Sequence, residues 1–395
     1  MTTPSSALSG LSWAEGLIQS KGRESTHSFK ASYLKTFFSQ KLHHRRVQPA
    51  LSRRAGNRRR KKGLGLAAFL LGLPALAIAA LAIAWFLVLP AGPDADTFVD
   101  IAPGSSTLQI AAQLEQAHVI RSRYAFDLVR IWKRGRLKPG EYRFDQPASV
   151  SQVYARIARG DIFTLTLVVP EGANRFDIAN RVQQAGLGNS ADFLAATVAE
   201  TPLLADLDPH APSVEGYLFP ATYHFPRKAT PAQIIAAMVQ RFRAAAVQIG
   251  LKSSFHSVVT LASLVERETA VPAERPLVAS VLINRLGSKM PLMTDPAVIY
   301  GLLTESRYRG AIYASDLALD TPYNTYKHPG LPPGPIANPG LPALRAALNP
   351  ANTTYLYFVA AGLDPQGQSR FASTLDEHSK NVAAYRLAVK QAGAQ

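Results

Sequence analysis

The sequence predicts an α+β chain: one N-terminal membrane helix, then an exported part that alternates short strands with amphipathic helices. Three observations predict it. Gly63 to Leu89 runs without a charged residue. Further on, apolar residues recur at i, i+1, i+4 and i+7, the spacing of a helix with one buried face. Between such segments lie short runs of β-branched and aromatic residues closed by Pro/Gly turns.

The first element is a basic arm. The chain carries +16 over 395 residues, but residues 1–62 hold 14 Lys and Arg against Glu15 and Glu24, so +12 of that charge sits there. It peaks at Arg53, Arg54, Arg58, Arg59, Arg60, Lys61 and Lys62. Such a run with few apolar neighbours reads as solvated and disordered. The rest of the chain carries only +4, so the nucleic-acid reading that the total invites is not expected to hold. The absence of cysteine excludes disulfide scaffolds, thiolate metal sites and cysteine nucleophiles.

The uncharged stretch follows. Its residues 63–89 would reach about 40 Å as a helix, enough to cross a ~30 Å hydrocarbon layer. Pro74 is tolerated in such a helix, and Trp85 and Phe86 stand where interfacial aromatics are expected. The run is about twice the ~7–15 residues of a signal-peptide core, so an uncleaved anchor is expected. Basic residues precede it, while Asp94, Asp96 and Asp100 follow with no Lys or Arg among them. The positive-inside rule keeps the arm in the cytoplasm and places residues from about 90 onward beyond the membrane.

The exported part opens with an internal similarity. Gly104 is followed by Ile110, Ala111, Leu114 and Ala117; Gly172 is followed by Ile178, Ala179, Val182 and Ala185. Each copy reads as strand, turn, helix, with strands expected over Thr97–Ile101 and Phe163–Val169. Helices are expected over Ser122–Arg134 and Val150–Ile157, and a turn then strand over Lys138–Phe144. A mostly helical block spans about 175–252, and alternating aromatics give Val214–Phe225 a strand-like pattern around Pro220. Then come helices over Val258–Val265, Pro276–Leu286 and Ala297–Leu303, the last opened by Asp295 as N-cap with Pro296 behind it. Residues 329–342, with six Pro and three Gly, form a stiff irregular loop, and Tyr355–Ala360 a short strand.

Signatures of metalloproteases, P-loop enzymes, serine hydrolases and kinases are absent, and the nine His show no metal-ligand spacing. Carboxylates, aromatics, amides and Pro/Gly loops remain, an inventory that suits carbohydrate chemistry. Glu266 and Glu268 end an apolar-faced helix. They differ by about 200° in direction, so they cannot flank one bond as a pair. Either could act alone as a general acid, its pKa raised by apolar surroundings, and spacing does not choose between them.

Several motifs in one order resemble the endolytic murein transglycosylases of the YceG-like family. They are Glu215–Pro220, Leu261–Thr269, Glu274–Leu286, Thr294–Tyr300, Tyr323–Tyr326, Gly330–Gly340 and Leu356–Val359. The resemblance implies a single-pass inner-membrane enzyme with residues 1–62 as the arm, 63–89 as the span, a LysM-like module over 95–170 and a mixed α+β catalytic domain over 171–395. It implies cleavage of peptidoglycan glycan strands between MurNAc and GlcNAc, leaving 1,6-anhydroMurNAc ends, in the periplasm and beside peptidoglycan synthases, with termination of nascent strands as the role. It places the catalytic acid at Glu266 and makes Glu215, Tyr217, Asn324, Thr325 and Tyr326 candidates for lining the glycan groove. No metal and no cofactor are required. The alternatives are a non-catalytic peptidoglycan-binding scaffold and a hydrolytic muramidase.

Overall fold

The computed structural model describes the backbone of residues 60–363 and 367–392, with side chains from Gly72 onward except at 87, 88 and 392. The basic arm over 1–62 therefore lies outside the described residues, apart from its last three positions. These open α1 (Arg60–Val88), three residues ahead of the expected start. Along α1 the described side chains are exposed and apolar, with Leu76, Leu81 and Trp85 at 70%, 69% and 71%. Among the described residues no helix is long and apolar enough to cross a membrane. The side chains described for α1 stop at Gly72, so the crossing expected over 63–89 rests on the sequence pattern.

Leu73 onward forms one compact unit. The chain leaves α1 through Pro90–Gly92, and Ala91 exchanges both backbone hydrogen bonds with Ala148, at 3.0 and 2.8 Å. Next come β1 (Thr97–Ile101), α2 (Thr107–Gln116), α3 (Arg123–Lys133), β2 (Gly140–Phe144) and α4 (Val150–Arg159). Strands β1 and β2 pair antiparallel, Val99 opposite Tyr142. Ser106 and Ser149 open α2 and α4 as capping boxes with Gln109 and Gln152. Val99, Ile110, Leu114, Phe126, Tyr142 and Ile157 share a core of their own. Each such side chain contributes roughly 1.5–3 kcal/mol by leaving water.

The same path is then repeated. It runs β3 (Leu165–Val169), α5 (Arg175–Gln184), α6 (Ser190–Ala199) and β4 (Ala221–Phe225), with β3 antiparallel to β4. Ile110, Ala111 and Leu114 are buried in the first copy, and Ile178, Ala179 and Val182 in the second. Gly104 and Gly172 turn with φ of 82° and 76°, the left-handed region that only glycine enters cheaply. The spacing shared by the two copies thus reflects one β-α-α-β path used twice. The copies differ in the return to the second strand. Residues 134–139 make it in the first copy and 200–220 in the second. The strand expected over Val214–Phe225 is limited to β4, because Pro220 has no N–H for the ladder and Val214–Leu218 is buried turn.

The remaining elements are helical. α7 (Pro231–Ile249) has Thr230 as N-cap, Pro231 first and Gly250 after its end. α8 (Phe255–Glu268), α9 (Arg275–Gly287), α10 (Asp295–Thr304), α11 (Ala314–Leu317) and α12 (Leu341–Leu348) follow. A hairpin, β5 (Tyr357–Ala360) and β6 (Ser369–Ala372), and α13 (Leu375–Ala392) close the described chain. Helix α8 is the centre of the second core: Val259 through Val265 are all buried, against α9, α10 and α12. Residues 329–340 have no regular structure, as their Pro content requires. The helix expected to start behind Asp295 starts one residue earlier: Thr294 is the N-cap and Asp295 is already in the first turn.

Candidate active site

Helix α8 ends where Thr269 turns extended, at φ −140°. That end brings two carboxyl groups to opposite surroundings. Glu266, 5% exposed in its side chain, is held on both oxygens. Arg275 Nη2 donates to one at 2.7 Å, and the Gly340 N–H, at the start of α12, donates to the other at 3.0 Å. Arg275 also lies 3.6 Å from Glu171, on the turn of the second β-α-α-β copy. A Cβ on Gly340 would meet the Glu171 carboxyl group, which packs directly against this position. The Glu266 pKa is raised, by burial above all, although Gly340 and Arg275 pull against the shift.

Glu268 points elsewhere. It is partly exposed and lines a cavity of about 410 Å³ walled by Thr269–Val271, by Phe358, Val359 and Ser369 of the hairpin, and by Tyr385 of α13. Among the described residues it accepts no hydrogen bond. Burial lifts its pKa to about 7; Asp295 adds to the lift, and Arg285 and Arg267 oppose it. Tyr326 donates its hydroxyl to Asp295 at 2.6 Å. Arg285 is fixed by the Leu356 and Leu292 carbonyls, at 2.7 and 2.8 Å. Glu274, which is buried, accepts from the hydroxyls of Thr269 and Ser369 at 3.2 and 2.9 Å. It therefore fastens the hairpin to the turn after α8 and keeps the cavity beside Glu268.

The proposed groove residues fall into two sets. Tyr326 reaches the neighbourhood of Glu268 and is partly exposed. Glu215, Tyr217, Asn324 and Thr325 are between 0% and 2% exposed, so in this conformation they support the walls and do not line them. The Glu215 carboxylate accepts from Arg175 N–H at 2.8 Å and Asn338 Nδ2 at 2.6 Å, and burial raises its pKa to about 7. Tyr217 donates to Asp208 at 2.8 Å. Asn324 donates to the Leu317 and Leu319 carbonyls, and Thr325 meets Thr294. Asn338 joins the Pro/Gly loop to two other segments: it donates to Ala173 and Glu215 and accepts from Leu218.

Sequence reasoning missed Glu171, Arg275, Arg285 and Asp295 as members of these clusters. The one available signal was that Glu171 adjoins the repeat glycine and that Asp295 lies in a motif with Tyr326's partner loop following it.

The chain is a mixed α+β fold whose helix α8 ends in two carboxyl groups, Glu266 buried and Glu268 at a cavity. The chain belongs to the YceG-like family, whose pattern matches residues 99–384. It is 34% identical over 323 residues to the endolytic murein transglycosylase of Bacillus subtilis, covering 76% of this chain and 88% of that protein. It is 32% identical over 320 residues to the endolytic murein transglycosylase of Streptococcus pneumoniae, covering 73% of this chain and 58% of that one. A crystal structure of a YceG-like protein from Listeria monocytogenes aligns at 33% identity over 72% of this chain and 98% of that one, with a TM-score of 0.46.

Proposed function

We propose that the protein is a membrane-anchored endolytic transglycosylase that cuts peptidoglycan glycan strands between MurNAc and GlcNAc and leaves 1,6-anhydroMurNAc ends. Family membership and the two named relatives support the reaction class. The observation that carries the mechanism is Glu266: a carboxyl group at the end of α8, 5% exposed in its side chain, oriented on both oxygens and raised in pKa by burial.

The acid is Glu266, where the resemblance puts it, with Arg275 and the Gly340 N–H fixing the orientation of its carboxyl group. Glu268, at the neighbouring cavity, is the alternative acid. Protonated Glu266 donates to the glycosidic oxygen as the C1–O bond breaks. The sugar passes through an oxocarbenium-like state. The resulting carboxylate takes the proton of the MurNAc C6 hydroxyl, whose oxygen closes on C1. The nucleophile belongs to the substrate, so no water is consumed.

The basic arm, the uncharged run and the acidic residues after it support a cytoplasmic N-terminus, one inner-membrane crossing and a periplasmic site. The β-α-α-β order of residues 97–144 supports the LysM-like reading of that module. Terminating nascent strands beside the synthases fits an endolytic enzyme held at the membrane.

The test is digestion of purified sacculi followed by mass spectrometry. The native protein should release fragments lacking the water that a muramidase would add. Glu266→Gln should release none while the protein still folds, whereas Glu268→Gln should still cut. If Glu266→Gln is active and Glu268→Gln is inactive but fully folded, the acid is Glu268 instead.

A further inference from the structure

Helix α3 uses one apolar face and leaves another bare. Ala125 and Phe126 enter the module core. Tyr124, Leu128 and Ile131 are each 66% exposed and Trp132 is 80% exposed. At 100° per residue these four fall within an arc of about 100°. Arg123, Arg130 and Lys133 stand on the same helix, Arg134 and Arg136 follow it, and Asp127 is its one acid.

The helix is also tied to the end of α1. Arg121, one residue before the Ser122 N-cap, donates to the Phe86 carbonyl at 3.1 Å and the Pro90 carbonyl at 3.5 Å. Its guanidinium lies 4.6 Å over the Phe86 ring. The bare face thus begins where the chain emerges from its anchor.

We propose that this face of α3 lies in the outer surface of the bilayer that α1 crosses. Tyr124, Leu128, Ile131 and Trp132 enter the boundary between headgroups and acyl chains, and the basic side chains meet anionic phospholipid headgroups. Three properties favour lipid as the occupant. The face continues directly from the anchor. The other side of the helix carries Arg123, Arg130 and Lys133, the basic polar face of an interfacial helix. Its aromatics are Trp and Tyr, the two that settle at membrane interfaces. A helix this short would bind weakly alone, but α1 holds it at high effective concentration. The inference rests on the crossing proposed above.

The test uses the full-length chain, whose three Trp are Trp13, Trp85 and Trp132. One variant (Trp13→Phe, Trp85→Phe) keeps only Trp132; another (Trp13→Phe, Trp132→Phe) keeps only Trp85. Each is reconstituted into phosphatidylglycerol/phosphatidylethanolamine vesicles with brominated acyl chains. Both tryptophans should be quenched. Trp132 quenching should vanish on adding Leu128→Glu with Ile131→Glu, and should fall in phosphatidylcholine. A quenched Trp85 beside an unquenched Trp132 overturns the inference and leaves the crossing standing. An unquenched Trp85 removes the crossing and the inference with it. Trp132 that is quenched only by iodide in vesicles yet shielded from it in native membranes identifies a protein partner and overturns the lipid assignment.

Discussion

The two β-α-α-β copies share a path and differ in use. In the first, the turn at Gly104 is open, with nothing near where a Cβ would stand. In the second, the turn at Glu171–Gly172 is pinned: Gly172 N–H bonds to the Asn338 carbonyl, Arg267 reaches the Gly172 carbonyl, and Glu171 lies by Arg275. The second copy also carries residues 200–220, where Tyr217 and Glu215 enter the main core. One copy kept a free surface and a core of its own. The other gave up its loops to brace the helix that ends in Glu268. Position within the packing, not the local pattern, decided what the same scaffold does.

This contrast can be broken at several points. The largest effect should come from the chemistry the second copy braces. Glu266→Gln should lower kcat by about 10²–10⁴-fold, the range for losing a general acid. The native rate should fall as pH rises and the donor loses its proton, and the residual rate of the variant should lack that limb.

Next is the brace. Asn338→Ala removes bonds to Ala173, Glu215 and Leu218 and leaves buried partners unmet. A loss of about 3 kcal/mol is expected by urea unfolding. A loss below about 1 kcal/mol would mean that the loop is held mainly by its prolines.

Glu215 gives the brace a pH signature. Its pKa is raised from 4.5 to about 7 by burial, so the protonated form is the one the fold favours. Its contribution is full below about pH 4.5 and is lost as pH rises towards 7, a fall of about 3 kcal/mol. Glu215→Gln should flatten that slope; an unchanged slope would assign it elsewhere.

The smallest effect comes from a matched pair. Gly104→Ala and Gly172→Ala each force a left-handed alanine, costing about 1 kcal/mol. Only Gly172→Ala should also lower activity, because its new methyl group would touch Glu266. Equal activity in both would show that the second turn plays no part in the site.

Much of the fold was legible because helices announce themselves locally. The ends of α3 fell on Ser122 and Arg134, and α8 through α10 followed the apolar period. The repeat was legible because a buried face at Ile110 and Ile178 forces the same spacing twice. The site was less so. That Glu266 would find Arg275 and Gly340, while Glu268 would find the hairpin, depends on contacts across 74 or more residues of chain for Gly340 and 95 for the Glu274–Ser369 tie. Motifs Glu215–Pro220 and Tyr323–Tyr326 stood out in the sequence, yet side-chain exposure, which separates a lining residue from a supporting one, leaves no mark there.

The pairing of Ala91 with Ala148 sets a length scale. Leu89 to Asp96 separates α1 from β1, at most about 28 Å of chain even if stretched, and the bridge ties Ala91 within it to Ala148. On the proposed topology the enzyme is a short-armed tool: a glycan strand far from the bilayer is out of range whatever its chemistry. Selection among strands would then be by altitude, with fresh strands at the membrane surface cut and older, more distant wall left alone. Lengthening the Pro90–Gly92 segment would raise that ceiling without touching the active site.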